Sequence, residues 1–135
     1  GFPERRRKAA TWKPSKRRLG NKENTMTAKA SEINKGEPIR MADHVGYSDG
    51  SIVSKTLLDK KTGTLTLFAF DAGQGLSEHI SPFDATVQIL DGEAVLEIGG
   101  KEINVKAGEL VIMPANVPHA VTAVKRFKML LIMIR

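Results

Sequence analysis

Residues 85–113 run ATVQILDGEAVLEIGGKEINVKAGELVIM, and the punctuation of this stretch decides the fold. Apolar and polar side chains alternate in short runs, the period of a half-buried strand. Thr86–Leu90, Ala94–Ile98, Glu102–Val105 and Leu110–Met113 read as four strands. Asp91–Gly92 and Gly99–Gly100 read as two-residue hairpin turns between them, since both pairs suit the positive φ that tight hairpins demand.

The same signals continue on either side. Upstream, Ser51–Asp59 reads as a strand, Lys60–Gly63 as a turn and Thr64–Phe70 as the next strand. In that last strand Leu65, Leu67 and Ala69 share one face, and Thr66, Phe68 and Phe70 share the other. Downstream, His119–Val124 and Phe127–Ile134 complete a set of about eight or nine short strands, spaced as in a sandwich or barrel. No stretch keeps a helical period for three turns. The expected fold is all-β: one small antiparallel β-barrel or jelly roll over residues 36–135. Phe127–Ile134 is apolar on both strand faces, so one face should cover the core and the other should be hidden against a second subunit, which predicts a homodimer.

Composition narrows the class. The chain has 135 residues, of which 41% are hydrophobic, enough for one core and too few residues for two domains. It has no cysteine, which excludes a disulfide framework and a thiolate metal site. The net charge of +6 is concentrated in residues 1–25, where nine Lys and Arg face Glu4 and Glu23. Residues 26–135 are left at −1. Residues 1–25 carry Phe2, Trp12 and Leu19 as their only large apolar side chains and are broken by Pro3 and Pro14, so they read as a basic tail outside the fold. Met26 reads as a natural start, which would make the tail an upstream addition. Nucleic acid is an expected partner only through that tail, and none is expected for the barrel itself. The longest apolar run, Met129–Ile134, is far too short to cross a bilayer as a helix, and the expected setting is the cytoplasm with no membrane contact.

Two stretches carry a family resemblance. Gly73, His79 and Gly92 match the first motif of the cupins, G-x5-H-x-H-x3-E-x6-G, and Gly108, Pro114 and His119 match the second, G-x5-P-x-G-x2-H-x3-N. Fifteen residues separate the motifs, the compact spacing of small microbial cupins, and with its flanking strands the resemblance covers about 100 residues. It implies a small single-domain cupin that binds a small molecule and pairs through its sheets. It also implies a divalent metal held by three His and one Glu. Here Ser81 stands at the second His position and Ala85 at the Glu position, while Asn116 replaces a glycine and Ala123 the terminal Asn. Asn116 is compatible with that place, because Asn enters left-handed backbone conformations more readily than most residues.

Residues 79, 81 and 85 have the same strand parity and are expected on the barrel's inner side, with His119 arriving from a second strand. His79 and His119 are therefore the candidate metal ligands, for Zn, Fe, Ni, Mn or Cu, with Glu78, Asp84, Gln74 or Gln88 as completing groups. Two other readings stand beside this one: a metal-free pocket in which both imidazoles hydrogen-bond or act as acid and base, and a core in which they do no chemistry. Ser81 as a nucleophile lacks an evident oxyanion site. His44 reads as a surface loop residue. The candidate pocket comprises His79, Ser81, Phe83, Gln88, Met113 and His119, with Phe70 and Phe127 as further apolar wall. The expected function is small-molecule binding, with a metal-dependent oxygenase or isomerase acting on a small metabolite as the alternative.

Overall fold

The computed structural model describes residues 33–135; the basic tail read at residues 1–25 lies outside them. Eight strands are present among the described residues: β1 (Ile52–Lys60), β2 (Gly63–Phe70), β3 (Gly75–His79), β4 (Ala85–Ile98), β5 (Lys101–Lys106), β6 (Leu110–Met113), β7 (His119–Thr122) and β8 (Phe127–Ile134). Among the described residues one 3-10 turn, Met41–Asp43, precedes them. All pairings are antiparallel, and the strands form one curled sheet with two walls. One wall runs β1-β2-β8-β4-β6 and the other β5-β4-β7-β3, with β4 shared. No helix among the described residues is long and apolar enough to cross a membrane.

β4 corrects the sequence reading. Asp91–Gly92 is not a hairpin: Ala85–Ile98 is one continuous strand of 14 residues. The left-handed backbone of Gly92, φ 78°, serves a bulge instead, where the register against β8 shifts between Ile89 and Asp91. A bulge and a tight turn make the same demand on φ, so an Asp-Gly pair alone does not separate them. The bend carries β4 from one wall to the other; its first half pairs with β6 and β8, its second with β5 and β7. Gly99–Gly100 does form the expected hairpin, with φ of 59° and 82° and Ile98 opposite Lys101.

The strand faces sort the apolar residues into two clusters. Inside the barrel, Phe68, Phe70, Val87, Ile89, Leu96, Phe127 and Met129 are fully buried, and the Phe70 and Phe127 rings stack at 4.5 Å between centroids. On the outer face of the first wall, Leu57, Leu67, Ala69 and Leu130 form a second cluster with Val45. Ile33, Ile39, Met41 and Tyr47 pack against it. The outer face of β8 is thus covered over much of its length by residues 33–47 of the same chain, and the need for cover that the apolar strand created is largely met without a second subunit. Fully burying an Ile, Met or Val side chain stabilises a fold by about 1.5–3 kcal/mol, so Ile33, Ile39, Met41 and Val45 explain why this segment adheres without joining the sheet.

Candidate ligand site

The first-motif residues do not share one strand. β3 ends at His79, residues 80–84 form a loop, and Ala85 opens β4 in the other wall. The 80–84 loop is tied to the loop after β6, where the Asn116 amide donates to the Ser81 carbonyl at 2.8 Å and the Ala115 amide to Asp84 Oδ1 at 2.8 Å. Asn116 occupies the left-handed region, φ 65°, as its residue type permits. These ties hold the ends of β3 and β7 side by side.

His79 and His119 are directly opposite one another in the β3–β7 ladder. Their rings meet edge to face, with centroids 4.4 Å apart and planes at 71°. Each ring is oriented by its own backbone. His79 Nδ1 lies 2.8 Å from the Ser77 carbonyl oxygen, and His119 Nδ1 lies 3.1 Å from that of Val117. A carbonyl only accepts, so both Nδ1 atoms donate, and in the neutral rings the lone pair resides on Nε2. His119 is buried, with 3% of its surface exposed. Burial first, and the neighbouring His79 second, push its pKa down to about 4, so it is a neutral imidazole at physiological pH.

The other candidates divide. Ser81 is buried, but its Oγ accepts the Phe83 amide at 3.0 Å, which uses the hydroxyl to shape the loop. Phe83 packs half-buried against the inner cluster, and Met113 is buried within it. Gln88 is misplaced by the sequence reading. The inner face of β4 is Ala85, Val87 and Ile89, so Gln88 lies on the outer face, in register with Leu110 and Leu130. Glu78 is exposed and Asp84 is engaged with Ala115. His44 is half-exposed, just after the 3-10 turn. Among the described residues no three His, Cys, Asp or Glu side chains are placed to hold one metal ion. The family's four-ligand divalent site therefore does not fit these residues. Ala85 has no donor, and its neighbours across the sheet are Met113 in β6 and Met133 in β8. Met133 was not singled out from sequence, because only long-range pairing brings it to Ala85.

Comparisons with known proteins bear out the fold. Residues 66–135 match the cupin domain family, more than half of the chain, and the protein belongs to that family. Among solved structures, it is similar to a cupin 2 conserved barrel domain protein from Leptotrichia buccalis, with 44% identity over 70% of this chain and 46% of that one and a TM-score of 0.68. A conserved protein of unknown function from Streptococcus pyogenes shares 33% identity, covering 83% of this chain and 97% of its own, at a TM-score of 0.73. A cupin superfamily protein from Desulfitobacterium hafniense shares 27% identity over 76% of this chain and 94% of its own, at 0.72. The curated proteins contain no match to the sequence.

Proposed function

We propose that this cupin binds a small, uncharged and largely apolar molecule through the Nε2 atoms of His79 and His119. The observation that carries the reading is the pair itself: two imidazoles 4.4 Å apart, each fixed in the same tautomer by a backbone carbonyl. Ser81 and His119 are the only buried polar side chains among the described residues, so an anionic ligand would find no opposing charge inside the barrel. A neutral ligand with one hydroxyl can donate it to an imidazole Nε2 and set the rest of its surface against the apolar inner cluster. The same two nitrogens are half of the donors a divalent ion such as Zn, Fe, Ni, Mn or Cu takes, and two alone hold such an ion weakly. The oxygenase or isomerase reading needs such an ion held firmly, and among the described residues no three His, Cys, Asp or Glu side chains are placed to hold one.

Phenol and catechol are suitable probes, tested by the rise they give in the thermal midpoint of the full chain and of a His79→Ala, His119→Ala variant. Stabilisation by either probe in the parent and its loss in the variant supports the reading. Equal response of both proteins, or none in the parent, removes it.

A further inference from the structure

Ala85 sits where the family motif places a carboxylate, and its two cross-strand neighbours are both thioethers. Met113 in β6 and Met133 in β8 lie opposite Ala85 on either side, and all three belong to the inner cluster. Directly opposed residues of antiparallel strands project to the same face, so the row Met113, Ala85, Met133 crosses the inner surface of one wall. The small Ala85 side chain leaves the space above it to its flexible neighbours, each of which has three rotatable bonds. The row and the histidine pair also close the same end of the barrel. Ala85 follows the 80–84 loop from His79, Met113 precedes the 114–118 loop to His119, and the two loops are hydrogen-bonded to each other.

That end of the barrel holds two imidazole rings and two thioether side chains, with no carboxylate completing the set among the described residues. Charge and softness then choose the ion. The desolvation penalty grows with the square of the charge, so a divalent ion entering a site with no anionic ligand meets about four times the penalty of a monovalent one. Thioethers favour Cu(I) among biological cations, and imidazole also suits copper. We propose that His79, His119, Met113 and Met133 form a site for a soft monovalent metal ion, Cu(I). This rests on the reading of the histidines as a binding pair and adds the two sulfurs to it.

The test is an anaerobic titration of the full chain with Cu(I) against bicinchoninate, with Zn(II) measured in parallel and X-ray absorption recorded on the copper-loaded protein. The parent should take one Cu(I) more tightly than Zn(II) and show sulfur among the copper neighbours. A Met113→Leu, Met133→Leu variant should lose at least about tenfold in Cu(I) affinity and keep its weak Zn(II) binding. These swaps nearly conserve volume, and if the double variant fails to fold, each single variant should show a partial loss. Unchanged Cu(I) affinity without the methionines, or a copper shell of nitrogen and oxygen alone, overturns the site. No Cu(I) uptake by a parent that still responds to phenol overturns the site and leaves the small-molecule reading standing. Copper bound through sulfur with no response to phenol or catechol supports the site and removes the small-molecule reading instead.

Discussion

Tyr47 Oη donates to Asp91 Oδ2 at 2.5 Å and fastens the segment before β1 to the bulge of β4. Arg126 and Lys128 lie against the same ring, at 4.9 and 5.0 Å from its centroid. Lys128 Nζ reaches the Ala42 carbonyl, while Arg126 pairs with Asp71 and Asp49. One aromatic side chain thus joins the covering segment to β4 and β8.

That clasp predicts an unusual titration. Burial first, and then the Asp91 carboxylate, push the Tyr47 phenol well above its ordinary value. Tyr47 is the only tyrosine, so the phenolate absorbance reports it alone. Raising a phenol's folded pKa gives stability that is present below about pH 10 and lost as pH rises beyond the unfolded value. The expected result is no phenolate signal at pH 10.5 in the folded chain, followed by ionisation together with unfolding. Half-ionisation near pH 10 with the fold intact would show that the clasp is open in solution. Tyr47→Phe should cost about 1.5–3 kcal/mol in a urea titration, the range for a hydrogen bond to a charged group.

His119 predicts acid sensitivity of the opposite sign. Its folded pKa, about 4, lies below the unfolded value near 6.5, so the unfolded chain binds the extra proton between the two. Stability is therefore unaffected by this group above about pH 6.5 and falls as pH drops from there towards about 4, by on the order of 3 kcal/mol in all. Urea midpoints from pH 7.5 to 4.5 should decline in the parent and decline less in His119→Leu. Parallel slopes in the two proteins would mean that His119 protonates without resistance in the fold.

Two glycines with similar backbone angles should respond very differently to alanine. Gly92 and Gly100 have φ of 78° and 82°. A Cβ at Gly92 would run into the Arg126 carbonyl oxygen, whereas one at Gly100 meets nothing within 4 Å. Gly100→Ala should cost about 1 kcal/mol from the left-handed backbone alone, and Gly92→Ala more than about 3 kcal/mol, because the β4–β8 ladder must also part. Equal costs would refute the bulge geometry.

The same comparison shows why some of this fold was legible in sequence and some was not. The alternation of Leu65, Leu67 and Ala69 against Phe68 and Phe70 is a local period, and the structure places the two sets in the outer and inner clusters as read. Gly99–Gly100 needed only its own backbone freedom to make a hairpin. At Asp91–Gly92 that freedom fits two outcomes, and the carbonyl that decides between them belongs to Arg126, 34 positions along the chain. β3 passed unread because Gly75, Ser77 and Glu78 give it little apolar signal and it relies on β7 for pairing. His79 and His119 were visible as motif positions, but their 4.4 Å approach and the row through Ala85 depend on register between distant strands.

Register also lines up a partly uncovered apolar stripe on the outer face of the first wall. Ile112, Thr86, Ile132 and Leu65 line up across β6, β4, β8 and β2, and Leu110, Gln88, Leu130 and Leu67 form the adjacent row. Residues 33–47 cover the Leu67 and Leu130 end of these rows, while Leu110, Ile112 and, beside them, Ile134 remain 51%, 57% and 70% exposed. An open apolar stripe on a sheet face is costly to leave in water and favours burial against a matching stripe under twofold symmetry. Light scattering on the full chain should therefore give twice the chain mass. Leu110→Lys with Ile112→Lys should halve that mass while leaving the thermal response to phenol or catechol intact, since both side chains lie on the face away from His119. A parent that scatters as a single chain at high micromolar concentration would mean that the stripe serves no dimer.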